Sequence, residues 1–481
     1  MARVHPEYDK RRKQWQKYRL SYAGGEEYIQ QYLFRHDKEK DAFWRDRLER
    51  AFYPNHCRAV VDTYAAHLFR EGIPRSTETD SDILQRFWAD LDLKGNSADA
   101  FYEHAAQQVQ VGGRVGIVVD RWDPDGGTAM TRAQEDAAGR RPYVYLVTTE
   151  NIVDWDVGRR GQLNWVMLRE PADVERSWRD PHPGQEWQYR VWTDEAWVLL
   201  QERQTDGDDD ETELVVVDRG EHPVGEPPVT FVFWGYRQGV QPVSESALKD
   251  IAPMNIRLTN LVSLIDEQIY AHVFNILATP QSTYDSLESV EWSTSGAIPY
   301  EDDVSNPPHY IGPDVDQLQA IRQEVKKTED QIRQLSGLGR VNEETKHAQS
   351  GIALSYLTMD KDALLGQFGQ RLRRAEAQVD RHALAWMEAS IDQGQSREYP
   401  ESFDPVDVQH ELKDAMQFAS LGIPADSEAA IENIIEAARA RFGSRLDAEQ
   451  LESLEDDLRS RLEAGGSIDE QAAPSLREVA E

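Results

Sequence analysis

Residues 244–274 read SESALKDIAPMNIRLTNLVSLIDEQIYAHVF, and this stretch decides the fold. Its apolar side chains recur with a period near 3.6 residues, which predicts one long helix with an apolar stripe. Pro253 is expected to kink this helix or to mark its true start, because proline has no backbone N–H to donate inside a helix. Such a long helix with a widening apolar stripe is not typical of an ordinary globular core.

A second helix is predicted over residues 315–335, which read VDQLQAIRQEVKKTEDQIRQL and also carry an apolar face. The Gly337-Leu338-Gly339 breaker ends it, and a polar loop runs on to Ser350. Between the two helices, residues 275–314 are rich in proline and glycine, which predicts turns. Two helices joined by a folded tip would form a spike that projects from a body.

The residues before the spike predict that body. Residues 1 to about 112 show mainly helical periodicity. Between about 110 and 235 the period changes to that of strands, and an acidic run at 205–213 indicates an exposed hairpin tip. No strand–helix–strand alternation is present, so this region predicts an antiparallel β unit and argues against a doubly wound nucleotide-binding fold.

The residues after the spike predict helices again. The longest helix of the chain is expected over 350–391. Shorter helices are expected over 408–421, 427–441 and 447–462, followed by a weakly ordered tail. The chain is therefore predicted to be α+β and mostly helical.

The charge balance limits the partners that the chain can bind. The formal net charge is −34 and the pI is near 4.7, which argues against a protein that grips nucleic acid along a general basic face. A smooth conduit for DNA is compatible with this charge, because repulsion from the phosphates would help DNA to slide. Solubility or a saline habitat explains the same charge without such a role.

Cysteine use and hydropathy indicate the compartment. Cys57 is the single cysteine, which rules out an intrachain disulfide and a cysteine-based metal site and indicates a reducing origin. Residues 1–20 are rich in lysine and arginine and have no apolar core, so no signal peptide is expected. No apolar run is long enough to span a bilayer, so a soluble protein without a membrane partner is expected.

No motif of an active site is present. The sequence has no Walker A loop, no zinc-ligand spacing and no Gly-x-Ser-x-Gly elbow. The glycines of 112–116 precede a predicted strand, which indicates a tight turn and not a phosphate-binding loop. A solvated loop explains Asp208, Asp209 and Asp210 better than a cation site does. We therefore predict no catalytic residue, no metal site and no cofactor.

The second predicted helix carries a basic stripe. Arg322, Lys326 and Arg333 lie within roughly 40 degrees of one another on a helical wheel. Three more side chains follow in the polar loop, namely Arg340, Lys346 and His347. One interpretation is contact with the phosphates of a polyanion, which needs charge and no base readout. The other is ion pairing with nearby carboxylates: Glu324, Glu329, Asp330, Glu343 and Glu344.

The order of these elements resembles that of the portal proteins, the head-to-tail connectors of tailed bacteriophages. The residues that carry the resemblance in the first half are Tyr53-Pro54-Asn55, Asn151-Ile152-Val153-Asp154-Trp155, Gly225-Glu226-Pro227-Pro228 and Phe231-Val232-Phe233-Trp234-Gly235. The most telling match, which opens a long helix after a Gly-rich loop, is Ser350-Gly351-Ile352-Ala353-Leu354-Ser355-Tyr356-Leu357. Phe403-Asp404-Pro405 and the helix–Gly-Ile-Pro–helix succession of 408–441 are also similar to that family.

The resemblance implies a portal fold with named parts. The expected parts are a wing over 1–241 that contains the β unit, a first stem helix over 242–274, a clip over 275–314, a second stem helix over 315–335, a tunnel loop over 336–350, a long wing helix over 351–398, a helical crown over 399–466 and a tail over 467–481.

The resemblance also implies a function. Portal proteins form a ring, usually of twelve subunits, at one capsid vertex, and double-stranded DNA enters and leaves through the axial channel. For this chain it implies a dodecameric ring in the virion, assembled in the host cytoplasm, that contacts DNA without reading its sequence. The implied protein partners are the terminase large subunit, a neck or adaptor protein, and the major capsid and scaffold proteins.

The implied site residues lie on the spike. The basic side chains of the second helix and of the loop would face DNA. The aromatic residues of the clip would dock partner proteins, and they are Tyr284, Trp292, Tyr300 and Tyr310. A portal has no catalysis of its own. Two alternatives stay open, a metal-dependent hydrolase that uses the acidic loop 206–213 and another structural protein of the phage head.

Overall fold

The computed structural model describes residues 4–77, 82–121, 141–172, 186–204, 212–235, 241–273, 276–287, 297–301, 307–311, 315–337, 351–387, 389 and 395–400. The chain divides into two compact units, residues 1–402 and 403–481, and all the described residues belong to the first. The helices and tail expected after residue 400 lie outside the described residues. The described part combines helices with mostly antiparallel sheets, which confirms the α+β class.

The first part of the chain is helical, as its periodicity predicts. The helices are α1 (Pro6–Ala23), α2 (Gly25–Tyr32), α3 (Asp41–Arg50), α4 (His56–Phe69), α5 (Asp82–Ala89) and α6 (Ala98–Gly112). The Asn55 side chain accepts a hydrogen bond from the Arg58 backbone N–H at 2.8 Å, which caps the start of α4. Gly113 ends α6 with φ of 81°, a left-handed conformation that suits glycine.

The β unit consists of two sheets. In the first sheet, β2 (Arg114–Arg121) lies between β3 (Pro142–Thr148) and β9 (Val229–Phe233), and its side chains are buried over Val115–Val119. The second sheet is an antiparallel meander of β4 (Ile152–Val157), β5 (Leu163–Pro171), β6 (Trp187–Trp192), β7 (Ala196–Gln204) and β8 (Thr212–Glu221). Gln204 pairs with Thr212, which confirms the predicted hairpin, while its tip lies outside the described residues.

A buried arginine joins the helices to both sheets. The Arg114 side chain on β2 is fully buried, with its guanidinium over the rings of Trp155 at 4.2 Å and Trp15 at 5.4 Å. It donates hydrogen bonds to the carbonyl oxygens of Ile152 and Pro242. Burial lowers the pKa of Arg114 to about 9. The contact with Pro242 ties the segment that leads to the first spike helix to the sheet.

The second part of the chain contains the two spike helices and the long helix that follows. The elements are α7 (Ile251–Val273), β10 (Ile276–Pro280), α8 (Gln281–Leu287), β11 (Ala297–Tyr300), β12 (His309–Ile311), α9 (Val315–Leu335), α10 (Gly351–Trp386) and β13 (Gln395–Arg397). The expectation of a long wing helix over 351–398 is wrong at its end, because α10 stops at Trp386 and 395–397 form a strand. None of the described helices combines the length and apolarity needed to cross a membrane.

A buried ionic network fixes the end of this unit. Strand β13 pairs antiparallel with β1 (Arg75–Thr77), a ladder that the sequence does not predict. Arg75 and Arg397, which face each other in this ladder, both bind Glu376 of α10, at 3.1 and 3.3 Å. Asp380, one turn further along α10, accepts hydrogen bonds from Arg397 and from the indole N–H of Trp88. Because their charges compensate one another, these side chains can be buried together.

Candidate functional site

Polar side chains hold α7 against the body. The Asn255 side-chain oxygen accepts hydrogen bonds from the backbone N–H groups of His56 and Cys57, at 3.0 and 3.2 Å. Its amide donates to the carbonyl oxygen of Pro54 at 2.8 Å. Asn255 therefore satisfies N–H groups in the first turn of α4, which have no partner within their own helix.

A second asparagine of α7, Asn260, bonds to backbone groups at the end of α2. The Asn260 side chain donates to the carbonyl oxygen of Tyr32 at 3.0 Å and accepts from the Phe34 N–H at 2.8 Å. One position earlier, the hydroxyl of Thr259 lies 3.4 Å from that of Tyr28, whose ring stacks on Tyr53 at 3.8 Å. Helix α7 thus packs against the turn at Tyr53-Pro54-Asn55.

Ion pairs hold the outer half of α7. Glu267 binds Arg47 of α3 at 2.9 Å and His36 at 3.3 Å. Arg47 also binds Glu39 at 2.7 Å, and these hydrogen bonds lower the pKa of the Glu39 carboxyl. The guanidinium of Arg50 lies 4.5 Å from the ring centre of Tyr270. Helix α3 therefore runs beside α7.

These contacts attach the first part of the predicted spike to the body. The first three turns of α7 are packed against the N-terminal helices, with Asn255, Thr259 and Ser263 buried. These positions recur every four residues, so they form one polar face of the helix. In the sequence these positions form a polar stripe beside the apolar one. Most apolar side chains of the outer half are only half-buried, and they are Leu261, Val262, Leu264 and Ile265.

The first stem helix starts late in its expected range, and the alternative that Pro253 marks its true start is confirmed. The expected range was 242–274, but α7 begins at Ile251, two residues before Pro253. Residues 244–250 instead attach to the end of α6. The Ser246 hydroxyl bonds to the carbonyl oxygens of Gln110 and Val111 at 2.9 and 2.7 Å, and it accepts from the Leu248 N–H at 2.9 Å. Pro253 thus lies in the first turn, where its missing N–H costs nothing.

Helix α9 has the predicted bounds and packs antiparallel to α7. Arg257 of α7 binds Glu324 of α9 at 2.8 Å. The end of α9 is held by the Tyr64 hydroxyl, which donates to the carbonyl oxygen of Ser336. Ile332 is buried, whereas Leu318, Ile321 and Val325 are half-buried. The apolar face of the helix pair is therefore incompletely covered within one chain.

The predicted basic residues differ in their surroundings. Arg322, Lys326 and Arg333 are all exposed on α9. Arg333 pairs with Asp330 at 3.0 Å and with Glu329 at 3.4 Å, so the ion-pair interpretation holds for this residue. Within the described part of the chain, Arg322 and Lys326 have no carboxylate within 4.0 Å. Arg340, Lys346 and His347 lie outside the described residues.

The described residues between α7 and α9 form a small mixed sheet and the short helix α8. Strand β10 lies between β11, which is parallel to it, and β12, which is antiparallel to it. Tyr284 on α8 is half-buried, and so is Tyr300, whose ring lies 6.1 Å from that of His309. Tyr310 on β12 pairs with Leu277 through the backbone, and its side chain is outside the description. Trp292 lies outside the described residues.

The described residues contain no group of three or more His, Cys, Asp or Glu side chains placed to hold a metal ion. The acidic loop that a metal-dependent hydrolase would use lies, for residues 206–211, outside the described part.

Comparisons with known proteins give structural neighbours only. No protein-family model and no curated protein matches the chain. A chain of the neck of an empty gene transfer agent particle is similar at 10% identity, with 87% of this chain and 92% of that chain covered and a TM-score of 0.37. A chain of the native gene transfer agent virion is similar at 11% identity, with the same coverage and a TM-score of 0.38. A superposition at this level carries no argument about function.

Proposed function

We propose that the chain is the subunit of a portal, a ring of identical copies whose axial channel passes double-stranded DNA into and out of a phage capsid. In this proposal α7 and α9 form the stem, the small mixed sheet with α8 is the clip, and the remaining described elements belong to the wing. The ring would occupy one capsid vertex, and it would have no catalytic activity of its own.

The observation that carries the proposal is the incomplete burial of the apolar stripe on the helix pair. Asn255, Thr259 and Ser263 are buried on α7, together with some apolar side chains such as Leu258. Most apolar side chains in the outer half of α7, and Leu318, Ile321 and Val325 of α9, are only half-buried. A protein that acts as a monomer seldom leaves such a stripe uncovered. A head-to-tail ring covers it, because each copy presents its helix pair to the next copy.

Exposed aromatic side chains beside α7 support the same contact. Phe34, Phe43 and Phe52 flank or lie within α3, and Ile269 lies on α7, with exposed fractions between 42% and 64%. Arg47 and Arg50 hold this segment against α7. Burying a side chain of this size against a neighbour stabilises the contact by about 1.5–3 kcal/mol. In this proposal, these three phenylalanines and Ile269 contact the neighbouring copy.

DNA contact is assigned to Arg322 and Lys326, the exposed cations of α9 that have no carboxylate partner among the described residues. Contact with phosphates needs only charge, so the channel would not read sequence. Arg340, Lys346 and His347 belong to the same proposal as tunnel-loop cations. The clip would dock the terminase large subunit and later a neck or adaptor protein through its aromatic residues.

The test is the mass of the purified full chain in solution. Mass photometry should show a closed ring, about 660 kDa for twelve copies of 55.0 kDa. Replacing Phe43 and Ile269 by serine should raise the concentration needed for half-assembly at least about tenfold, since a loss of 1.4 kcal/mol already does so. Val217→Ser, which alters an exposed apolar residue on β8, is the matched control and should leave assembly unchanged. A chain that stays at 55.0 kDa at micromolar concentration would contradict the proposal.

A further inference from the structure

Helix α1 is a cationic surface in a strongly acidic chain. It carries six lysine and arginine residues against two carboxylates, a net charge of +4 where the whole chain has −34. Tyr8, Trp15 and Tyr18 are buried and anchor the helix to the body. The helix is therefore held against the body. Four of its cations are exposed, and Arg11 and Lys17 are half-buried.

Three of these cations form one stripe. Lys10, Lys13 and Lys17 follow one another at intervals of three and four residues, so their side chains leave the same face of the helix. The stripe spans eight residues, a rise of about 10 Å along the helix axis. The two carboxylates of the helix, Glu7 and Asp9, lie one turn before Lys10 and Lys13 and flank the line of lysines.

The two carboxylates of α1 itself are already engaged. Glu7 binds Arg11 at 3.0 Å and reaches Lys10 only at 3.9 Å, and Asp9 binds Arg12 at 3.2 Å. Lys13 and Lys17 have no carboxylate within 4.0 Å anywhere in the described ranges. Both are therefore available to an external anion.

We propose that this lysine stripe binds the phosphate backbone of duplex nucleic acid without reading its sequence. Lysine is a compact, flexible point charge and suits phosphates, which need no fixed geometry. Contacts of this kind position a duplex and carry most of the affinity of non-specific binding. The site is separate from the helix pair assigned to the channel.

The surroundings of the stripe favour nucleic acid over a protein partner or a membrane. None of the large apolar side chains exposed in the described ranges lies on α1 itself, so this face lacks the aromatic or apolar anchor that dominates protein interfaces. Lysine is also depleted at the centre of such interfaces. The aromatic residues of α1 are buried in the protein, so the helix has no free apolar face to insert into lipid.

The acidic remainder of the chain does not cancel this surface at physiological salt. Charges further away than a Debye length, about 8 Å at physiological ionic strength, are largely screened. The lysine stripe is about as long as one Debye length. The electrostatic energy of a phosphate bound to it therefore depends mainly on the three lysines. The overall charge would instead keep the duplex away from the acidic surfaces of the chain.

The test measures binding of the full chain to two 30-base-pair duplexes of unrelated sequence by fluorescence anisotropy, over a series of salt concentrations. The variant replaces Lys10, Lys13 and Lys17 by glutamine. The control replaces Lys38, Lys40 and Lys94 by glutamine, which removes the same charge from three other exposed lysines. Each lost phosphate contact should reduce the slope of log affinity against log salt by about 0.9.

The proposal expects the stripe variant to lose at least about tenfold in affinity for both duplexes at 0.1 M salt, with a slope smaller by about 2–3, while the control changes little. Equal losses in variant and control, or no binding by the unmodified chain, would overturn it. A change in ring mass without a change in duplex affinity would assign the stripe to a neighbouring protein chain and also overturn it. Because ring mass and duplex affinity are separate measurements, this inference and the portal proposal can fail independently.

Discussion

Helices α1 and α9 carry similar numbers of cations on one face, yet their electrostatics differ. On α9 the stripe of Arg322, Lys326 and Arg333 also contains Glu329, and the helix as a whole has four cations and four carboxylates. On α1 the stripe contains lysine only, and the helix has a net charge of +4. The difference shows that a basic stripe must be judged together with the acids one turn away, because they neutralise it first.

The two helices also differ in what holds them. Aromatic side chains anchor α1, whereas α9 depends on α7, which is seated by Asn255. Replacing Asn255 should therefore disturb the helix pair and leave α1 in place. This substitution is expected to have the largest effect among those that follow.

Asn255→Ala should lower the free energy of unfolding by about 1–3 kcal/mol, because it leaves the buried Cys57 N–H without an acceptor and removes one of the two acceptors of the His56 N–H. Thermal unfolding measures the loss. Asn164→Ala, at an exposed asparagine that binds Asp156, is the control and should cost less than about 0.5 kcal/mol. Equal costs for the two variants would show that Asn255 does not seat the helix pair.

Replacing Arg322 and Lys326 by glutamine should separate the two cationic surfaces. Ring mass and duplex affinity in solution should stay within about twofold of the unmodified chain, since the lysine stripe on α1 supplies the solution contact. The amount of DNA packaged or retained per particle should fall. Unchanged packaging would remove α9 from the channel, and a large loss of duplex affinity would make the two surfaces one site.

The smallest effect concerns the ion pairs that seat the outer half of α7. Arg47 lowers the pKa of Glu39, so the ionised carboxylate stabilises the fold above its usual titration range near pH 4.5. This contribution is lost as pH falls through the lowered pKa of the folded state. Glu39→Gln should therefore lower the melting temperature at pH 7 and differ progressively less from the unmodified chain on acidification. A difference that is constant with pH would exclude this linkage.

The local patterns in the sequence are sufficient for the elements that are long and periodic. Helix α9 and the hairpin of β7 and β8 have the expected positions because their apolar periods and flanking turn residues agree. Helix α7 starts late because Ser244 and Ser246 bond to the residues around the end of α6, which a periodicity count cannot register. The start of helix α7 is therefore set by a tertiary contact and not by the helix propensity of its residues.

Other features depend on distant residues and leave no local signal. The β1–β13 ladder joins strands of three residues that lie more than 300 positions apart, and a strand that short has no measurable alternation. Glu376 and Asp380 can be buried because Arg75 and Arg397 lie beside them and compensate their charges. No pattern near Glu376 or Asp380 in the sequence indicates these partners. For the site, the sequence located the basic stripe of α9 and indicated pairing with Glu329 and Asp330 as one of two interpretations, which is confirmed for Arg333.

The central claim is that copies of this chain close into a ring with α7 and α9 around the axis. The most direct measurement is an electron-microscopy image of the purified assembly, with a gold label attached through a cysteine introduced at Lys326, in a variant whose buried Cys57 is replaced by alanine. The account predicts a closed ring with a central channel and label density at the channel wall. A particle without a channel, or a ring with the label on its outer rim, would contradict it.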